Sequence, residues 1–371
     1  MAQVDLAVIY SPVGGGHKAA AIAVAEAARA RGKSVELIDA FAHAPKVFGA
    51  AYVRAHLTGQ SALPSLYGPL YFAANHREGT FEPIRRGLDH LAFAPLVERV
   101  VRLSPRAVVA THHLPLVVLG RARRKGWLAA PLIGVVTDYT SHAVWAESGV
   151  DAFAVPCALA REELIANCIA EGRIAMTGIP VRRAFYEAAD VADPREGETL
   201  RVLVTSGGFG VGPMRRVVRA FAGVQGIELT VVCGAAKELV ARVHRDAERL
   251  GISARVIGFE RDMPARVAEA HVVVGKSGGL TVTETLAAGR SMVIVGAVPG
   301  NETINEAFVV RGGAGVAAQP RDVARAVLDL RRNGIAAMGR RARGLVMRWS
   351  ADRVAAWAEG WGEVLGERRA A

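Results

Sequence analysis

"VDLAVIYSPVGGGHKAAAIAVAEAARARGKSVELIDAF", residues 4–41, is the stretch that decides the fold. An apolar run (4–11) ends in three adjacent glycines, an Ala-rich helical segment follows and stops at Gly32, and a second apolar run covers 34–41. Strand, glycine turn, helix and strand form the opening unit of a parallel, doubly wound sheet. A glycine turn at the end of a strand lets bare backbone approach a ligand, and the helix that follows offers free N–H groups to an anion.

Two common phosphate loops match this turn poorly. Gly14, Gly15 and Gly16 are contiguous, whereas a dinucleotide fingerprint spaces its glycines G-x-G-x-x-G, although Asp39 stands about where such a site wants a ribose-binding acid. No Lys-Ser/Thr pair follows Gly16, so a P-loop fails as well. An NAD oxidoreductase is therefore the weakest of the functional readings.

Further along, "RAVVATHH", "APLIGVVTDY" and "DAFAVPC" read as parallel strands with polar residues at their C-terminal ends. The segment 188–200, "AADVADPREGETL", loses apolar periodicity and is the linker candidate. A second α/β series starts after it with "RVLVTSGGFGVGP", where Gly207, Gly208, Gly210 and Gly212 again leave amides open, and ends in helical sequence from about Pro320 to Arg368. The layout predicts an α/β protein of two Rossmann-like, doubly wound domains facing across a cleft, 1–190 and 200–371.

Composition narrows the function classes. With 51% hydrophobic and 22% charged residues the chain is globular, and no apolar run approaches the roughly 18 residues that span a bilayer. Three scattered cysteines fit neither a disulfide framework nor a zinc site, and the start lacks a leader pattern, so a cytoplasmic protein is expected. The net charge of +11 points to an anionic partner, with a solvated basic surface as the plain alternative. Nucleic acid is not expected, because no RRM, zinc-finger or helix-turn-helix signature is present.

The loop in "VVVGKSGGLTVTETLAAG" (272–289) is the most informative. Ser277, Gly278 and Gly279 lead from a strand into a helix whose first turn suits a diphosphate. Glu284 can share a helix face with Leu280 and Thr281, where a carboxylate would accept both hydroxyls of a ribose. The plain alternative is an ordinary acid in the first turn interacting with the helix dipole, and the phosphate-suited loop before it favours the ribose role.

The ordered set "GGGHKA", "THHLPLV", "VVTDYTSHAVW", "GIPV", "GGFGVGP", "GFERDM", "KSGGLTVTETLAAG" and "VPGNETIN" resembles the monogalactosyldiacylglycerol synthase and processive diacylglycerol glycosyltransferase family. More distantly it is similar to the peptidoglycan UDP-N-acetylglucosamine transferase. The resemblance implies a GT-B fold, an N-terminal acceptor domain, a C-terminal UDP-sugar domain and no metal or other cofactor. It implies that Glu284 holds the ribose, that the turn from Phe259 through Glu260 to Met263 frames uracil, and that Asn301, Glu302 and Asn305 contact the sugar. Gly15, Gly16, Gly208, Phe209, Gly210 and the 277–281 turn would line the donor.

His17 would be the base that takes the acceptor's proton, a task for which neutral imidazole is suited near pH 7; the alternative is that it only orients the donor or bonds the turn. His112, His113 and Asp138 are second candidates, and Arg182 is either a phosphate contact or a surface charge. Two departures stand out: Lys276-Ser277-Gly278-Gly279 replaces Lys-Pro-Gly-Gly, and Pro299-Gly300-Asn301-Glu302 replaces Pro-Gly-Gln-Glu, which leaves glucose and galactose both open. Ala143 stands where relatives tend to have Pro.

Residues 42–103 mix Phe, Tyr and Leu with Lys46, Arg54, Arg77, Arg85 and Arg86, and are expected to lie on an anionic membrane surface where a lipid acceptor enters. The plain alternative is core helices. Together these readings give an inverting UDP-hexose:lipid glycosyltransferase, peripheral on the inner face of the cell membrane, with UDP-glucose or UDP-galactose as donor and a β-linked glycolipid as product. The rivals are a transferase acting on a soluble or secondary-metabolite acceptor, a UDP-sugar 2-epimerase, and a non-catalytic nucleotide-sugar-binding protein.

Overall fold

The computed structural model describes residues 4–45, 49, 87, 89–208, 210 and 212–370, and no side chain from 364 onward. The expected membrane surface at 42–103, with Lys46, Arg54, Arg77, Arg85 and Arg86, falls largely outside the described residues, as does Phe209. The chain divides into two compact units, Met1–Arg182 with Trp349–Ala371, and Arg183–Arg348.

The first unit is built in the order β1 (Leu6–Tyr10), α1 (Gly15–Ala30), β2 (Val35–Asp39), α2 (Ala94–Leu103), β3 (Ala107–Ala110), α3 (His113–Arg124), β4 (Leu132–Val135), β5 (Ala152–Val155), α4 (Ala158–Ala166) and β6 (Ile174–Met176). Its six strands are all parallel and lie in the order β2-β1-β3-β4-β5-β6. β1 is apolar throughout because both of its faces are covered: Leu6, Val8 and Tyr10 join the layer containing α1, while Ala7 and Ile9 join the layer of Phe93, Leu96 and Leu116.

In the second unit the elements are α5 (Arg183–Tyr186), β7 (Leu200–Thr205), α6 (Met214–Arg219), β8 (Ile227–Val232), α7 (Lys237–Arg249), β9 (Ala254–Ile257), α8 (Met263–Glu269), β10 (Val272–Gly275), α9 (Gly279–Ala287), β11 (Ser291–Ile294), α10 (Asn301–Arg311), β12 (Gly315–Ala317), α11 (Val323–Asn333) and α12 (Ile335–Leu345). Its sheet runs β12-β11-β10-β7-β8-β9, also parallel.

The structure departs from the sequence reading at both expected domain limits. The last helix, α13 (Ser350–Ala370), belongs to the first unit, not to a 200–371 domain. Its Ala351, Val354, Ala355 and Ala358 form a stripe of small side chains that packs with Ala21, Val24, Ala25 and Ala28 of α1. Ser350 seals the start of the helix: its hydroxyl donates to Ile179 O (2.7 Å) and accepts from Val181 N (3.3 Å). Farther along, Arg31 makes a two-pronged bond to Glu359, both prongs 2.9 Å.

The 188–200 segment is no free linker, since arginines of the second unit hold its carbonyls. Arg290 donates to Ala189 O (3.0 Å), Arg343 to Ala188 O, and Arg331 to Arg195 O and Glu198 O (3.1 and 2.9 Å). A polar, aperiodic sequence looks like a linker when the groups that bind it lie more than 90 residues away. Arg290 is itself almost wholly buried, and burial, reinforced by Arg343, pushes its pKa down to about 10. It stays charged at neutral pH.

His271 sits buried just before β10. Its Nδ1 accepts from Arg201 N (3.0 Å), and the Arg201 guanidinium lies 2.9 Å from Nε2. Burial, and then the charges of Arg201, Arg290 and Arg331 against the opposing pull of Glu198, hold its pKa below the ordinary 6.5. A depressed folded-state value means that the unfolded chain takes up the proton first as pH falls. The stability that neutral His271 contributes is therefore complete above about 6.5 and is lost as pH drops through the folded value. Thermal melts at pH 7.5 and 5.5 should show a larger loss in the wild type than in His271→Asn, whose amide oxygen can still accept from Arg201 N. Equal losses in both would contradict the assignment.

Candidate functional site

Each sheet has one place where strand order reverses. In the first unit it lies between β1 and β3, in the second between β7 and β10. The connections there leave in opposite directions, so the carboxyl ends of the two strands border a crevice where α/β proteins bind ligands. The glycine loops and the histidines singled out in the sequence converge on these two positions.

At the first switch point, Gly14 precedes α1 with φ +82°, a conformation that favours glycine; no neighbouring atom would obstruct a Cβ, so backbone conformation alone requires it. Gly15 and Gly16 form the first turn of α1, which has no side-chain cap and no acid, leaving its amides to a ligand. His17, half-buried, is the third residue of the helix. Its Nδ1 lies 2.8 Å from Thr111 O and 3.0 Å from Thr137 Oγ1, while the Thr111 hydroxyl donates to His17 O (2.9 Å). A carbonyl only accepts, so Nδ1 carries the proton and the basic lone pair of the neutral ring is on Nε2.

His112 lies edge-on to His17, ring centroids 4.5 Å apart, and His113 is 4.2 Å beyond it. The structure thus gathers three of the candidate residues. It also separates their roles: buried His112 caps α3, its Nδ1 accepting from Leu114 N (3.1 Å), which puts its proton on Nε2. His113 lies 6.2 Å from the Trp145 ring. Asp138 stands half-exposed in the turn after β4, a turn braced by Glu163, which accepts from Thr140 Oγ1 (2.8 Å) and Ser141 N (2.5 Å). Arg182 is the last residue before the second unit. Thr111 and Thr137, the two groups that orient His17, were not singled out from the sequence; the available signal was their position at the ends of apolar runs that stop beside the histidines and Asp138.

At the second switch point, Thr205, Ser206, Gly212, Pro213, Gly275 and Lys276 line a pocket. Gly210 has two reasons to be glycine: φ is +71°, and a Cβ would stand 2.5 Å from Ala236 Cβ. Gly208 O is bonded by Ala235 N (3.0 Å), which ties the loop to the turn after β8.

The turn between β10 and α9 is held from below. Ser277 Oγ donates to Glu302 O (2.7 Å), Asn305 Nδ2 to Ser277 O (2.9 Å), and Glu302 Oε2 accepts from Val298 N (2.8 Å). Lys276 pairs with Glu302 Oε1 at 2.8 Å. Ser277 and Asn305 have no solvent exposure, so these side chains set the loop, whereas Asn301 begins α10 half-exposed. Glu302 and Asn305, which the resemblance implies as sugar contacts, thus also form a latch that positions the turn.

Above that latch, α9 starts at Gly279 with Gly278 as a cap that offers no side chain, and its first turn has no acid. Leu280 is buried, while Thr281 and Glu284 are half-exposed. Glu260 accepts from Asp262 N (2.9 Å) and pairs with Arg266 (3.1 Å); the Asp262 amide, followed by Arg266, keeps its pKa low. That fold of the turn leaves Phe259 66% exposed just before Met263, the first residue of α8. Among the described residues no group of three or more His, Cys, Asp or Glu is placed to hold a metal ion, and no helix is long and apolar enough to cross a membrane.

Comparison with known proteins adds to this geometry. The monogalactosyldiacylglycerol (MGDG) synthase family profile matches residues 17–181, and the glycosyltransferase family 28 C-terminal domain matches 201–333. A probable chloroplastic monogalactosyldiacylglycerol synthase 2 of Oryza sativa subsp. japonica is 26% identical over 359 residues, 87% of this chain and 72% of that protein. A processive diacylglycerol beta-glucosyltransferase of Bacillus licheniformis is 25% identical over 227 residues, 60% of this chain and 59% of that protein. The crystal structure of Acinetobacter baumannii MurG shares the fold, with a TM-score of 0.63 at 17% identity, covering 96% of this chain and 99% of that one.

Proposed function

Because the chain belongs to the glycosyltransferases that join a monogalactosyldiacylglycerol synthase domain to a family 28 C-terminal domain, we propose that it moves a hexose from UDP-glucose or UDP-galactose to a lipid such as diacylglycerol, inverting the anomeric centre. The names of its relatives support the lipid acceptor. The observation that carries the mechanism is the contact of His17 Nδ1 with Thr111 O, which fixes the ring with its basic nitrogen at Nε2.

In the proposed reaction the acceptor oxygen attacks the sugar C1 as the bond from C1 to the phosphate oxygen breaks. The hydroxyl proton passes to His17 Nε2, and the bonding electrons leave with UDP. The donor's diphosphate charge is carried by the first turn of α9 (Gly279, Leu280, Thr281), the 276–278 turn and the amides around Gly208 and Gly210, a preorganised electrostatic contribution. Glu284 takes the ribose hydroxyls, and the turn carrying Phe259 and Met263 takes the uracil. Asn301, beside the latch, reads the sugar. A basic chain that acts on lipid is placed at the inner, anionic face of the cell membrane, drawn there by its charge of +11.

Two variants separate binding from chemistry. Glu284→Ala should weaken UDP binding by about 1.5–3 kcal/mol in calorimetry, because the ribose hydroxyls lose a charged acceptor. His17→Ala should bind UDP nearly as the wild type does and lose about two to four orders of magnitude in turnover. Equal loss of UDP affinity in both would refute this division of roles. The function itself is tested by incubating radiolabelled UDP-glucose or UDP-galactose with liposomes containing diacylglycerol and extracting the lipid. Label in the lipid phase from one donor identifies the sugar. Label confined to the aqueous phase despite UDP-sugar binding would move the acceptor to a soluble molecule and refute the lipid assignment.

A further inference from the structure

The contacts around His17 name a residue that the proposed function does not use. His17 Nδ1 has two oxygen neighbours, Thr111 O at 2.8 Å and Thr137 Oγ1 at 3.0 Å. They come from the ends of two adjacent strands, β3 and β4, and both threonines are buried. Thr111 is fixed on all sides: its amide bonds Ile9 O (3.0 Å) and its hydroxyl bonds the His17 carbonyl (2.9 Å), so its own carbonyl has little freedom to turn away from the ring. Thr137 immediately precedes the turn braced by Glu163.

We propose that Thr137 is a positioning residue for His17, and that its hydroxyl oxygen shares the Nδ1 proton with the Thr111 carbonyl. The inference rests on the function proposed above, in which His17 Nε2 receives the acceptor's proton. When it does, the ring becomes an imidazolium and Nδ1–H becomes a charge-bearing donor, whose bonds to oxygen strengthen. Two neutral oxygens then do what a carboxylate does in a Ser-His-Asp triad: they hold the tautomer, aim the ring and stabilise the cation. The Thr111 carbonyl cannot be removed by substitution. The Thr137 hydroxyl can.

The test uses the full-length chain and the variants Thr137→Val and Thr137→Ser. Thr137→Val keeps the branched shape and removes the oxygen; Thr137→Ser keeps the oxygen and removes the methyl group. In Thr137→Val the imidazolium loses one acceptor, so histidine ¹⁵N NMR should show His17 titrating at lower pH than in the wild type. Its kcat should fall about tenfold, the loss expected of one hydrogen bond in the transition state, with the UDP-sugar KM unchanged and the acid limb of the pH profile moved the same way. Thr137→Ser should return all three towards the wild type.

Unchanged titration and turnover in Thr137→Val would overturn the proposal, as would a Thr137→Ser variant no better than Thr137→Val, since the methyl group would then be what matters. A wild-type His17 with its neutral proton on Nε2 would overturn it outright. The NMR arm needs no substrate, so a chain inactive on lipid would refute the transfer reading and still decide the role of Thr137.

Discussion

Reversal of strand order at one point in each sheet is the constraint on which the rest of the structure depends. Where β3 lies beside β1 and their connections part, a polar group at the end of either strand meets the first turn of α1. That is how His17, near the start of the chain, comes within 2.8 Å of a carbonyl 94 residues away. The same reversal between β7 and β10 sets the glycine loop after one strand beside the Lys276–Gly279 turn after the other. Shifting the register of β3 against β1 by one residue would carry the Thr111 carbonyl away from His17 Nδ1 and break the bond that fixes the ring.

Both sites rely on helix starts that carry no cap of their own. α1 and α9 each begin on a glycine, without an acid in the first turn or a side-chain cap. A glycine cap costs roughly a few tenths of a kcal/mol relative to Ser, Thr, Asn or Asp, and an anion at the helix end adds a favourable interaction with the dipole. The loops leading into these helices are rigid for other reasons. In the second unit the turn before α9 is fixed by a buried network in which the Ser277 hydroxyl, the Asn305 amide and Val298 N donate to Glu302 O, Ser277 O and the Glu302 carboxylate. Conformational cost is thereby met on folding and not on binding.

Much of this was legible in the sequence. Apolar runs with both faces buried gave most of the strands, and the glycines at their ends gave the turns. The two three-residue edge strands, β6 and β12, were missed because so short a run has no period to read. The placement of α13 was missed because an alanine stripe says that a helix packs closely without saying on what. In the site, His17 and Gly14 to Gly16 could be found from their types and spacing. Asn305 and Glu302 were visible as polar groups near a helix start, but their partners lie 28 and 26 residues back, at Ser277 and Lys276, and only the fold reveals a latch. Thr137 left almost no signal, since a threonine after a strand is ordinary until a histidine 120 residues away is found against it.

The central claim is a single displacement in which His17 takes the proton of the attacking hydroxyl. It is tested most directly by the anomeric configuration of the lipid product made from a UDP-α-hexose, read from the proton coupling at C1 by NMR. The account predicts a β-linked product with the large coupling of two axial protons. An α-linked product would require a second displacement or attack from the leaving-group side, and the role assigned to His17 would be wrong.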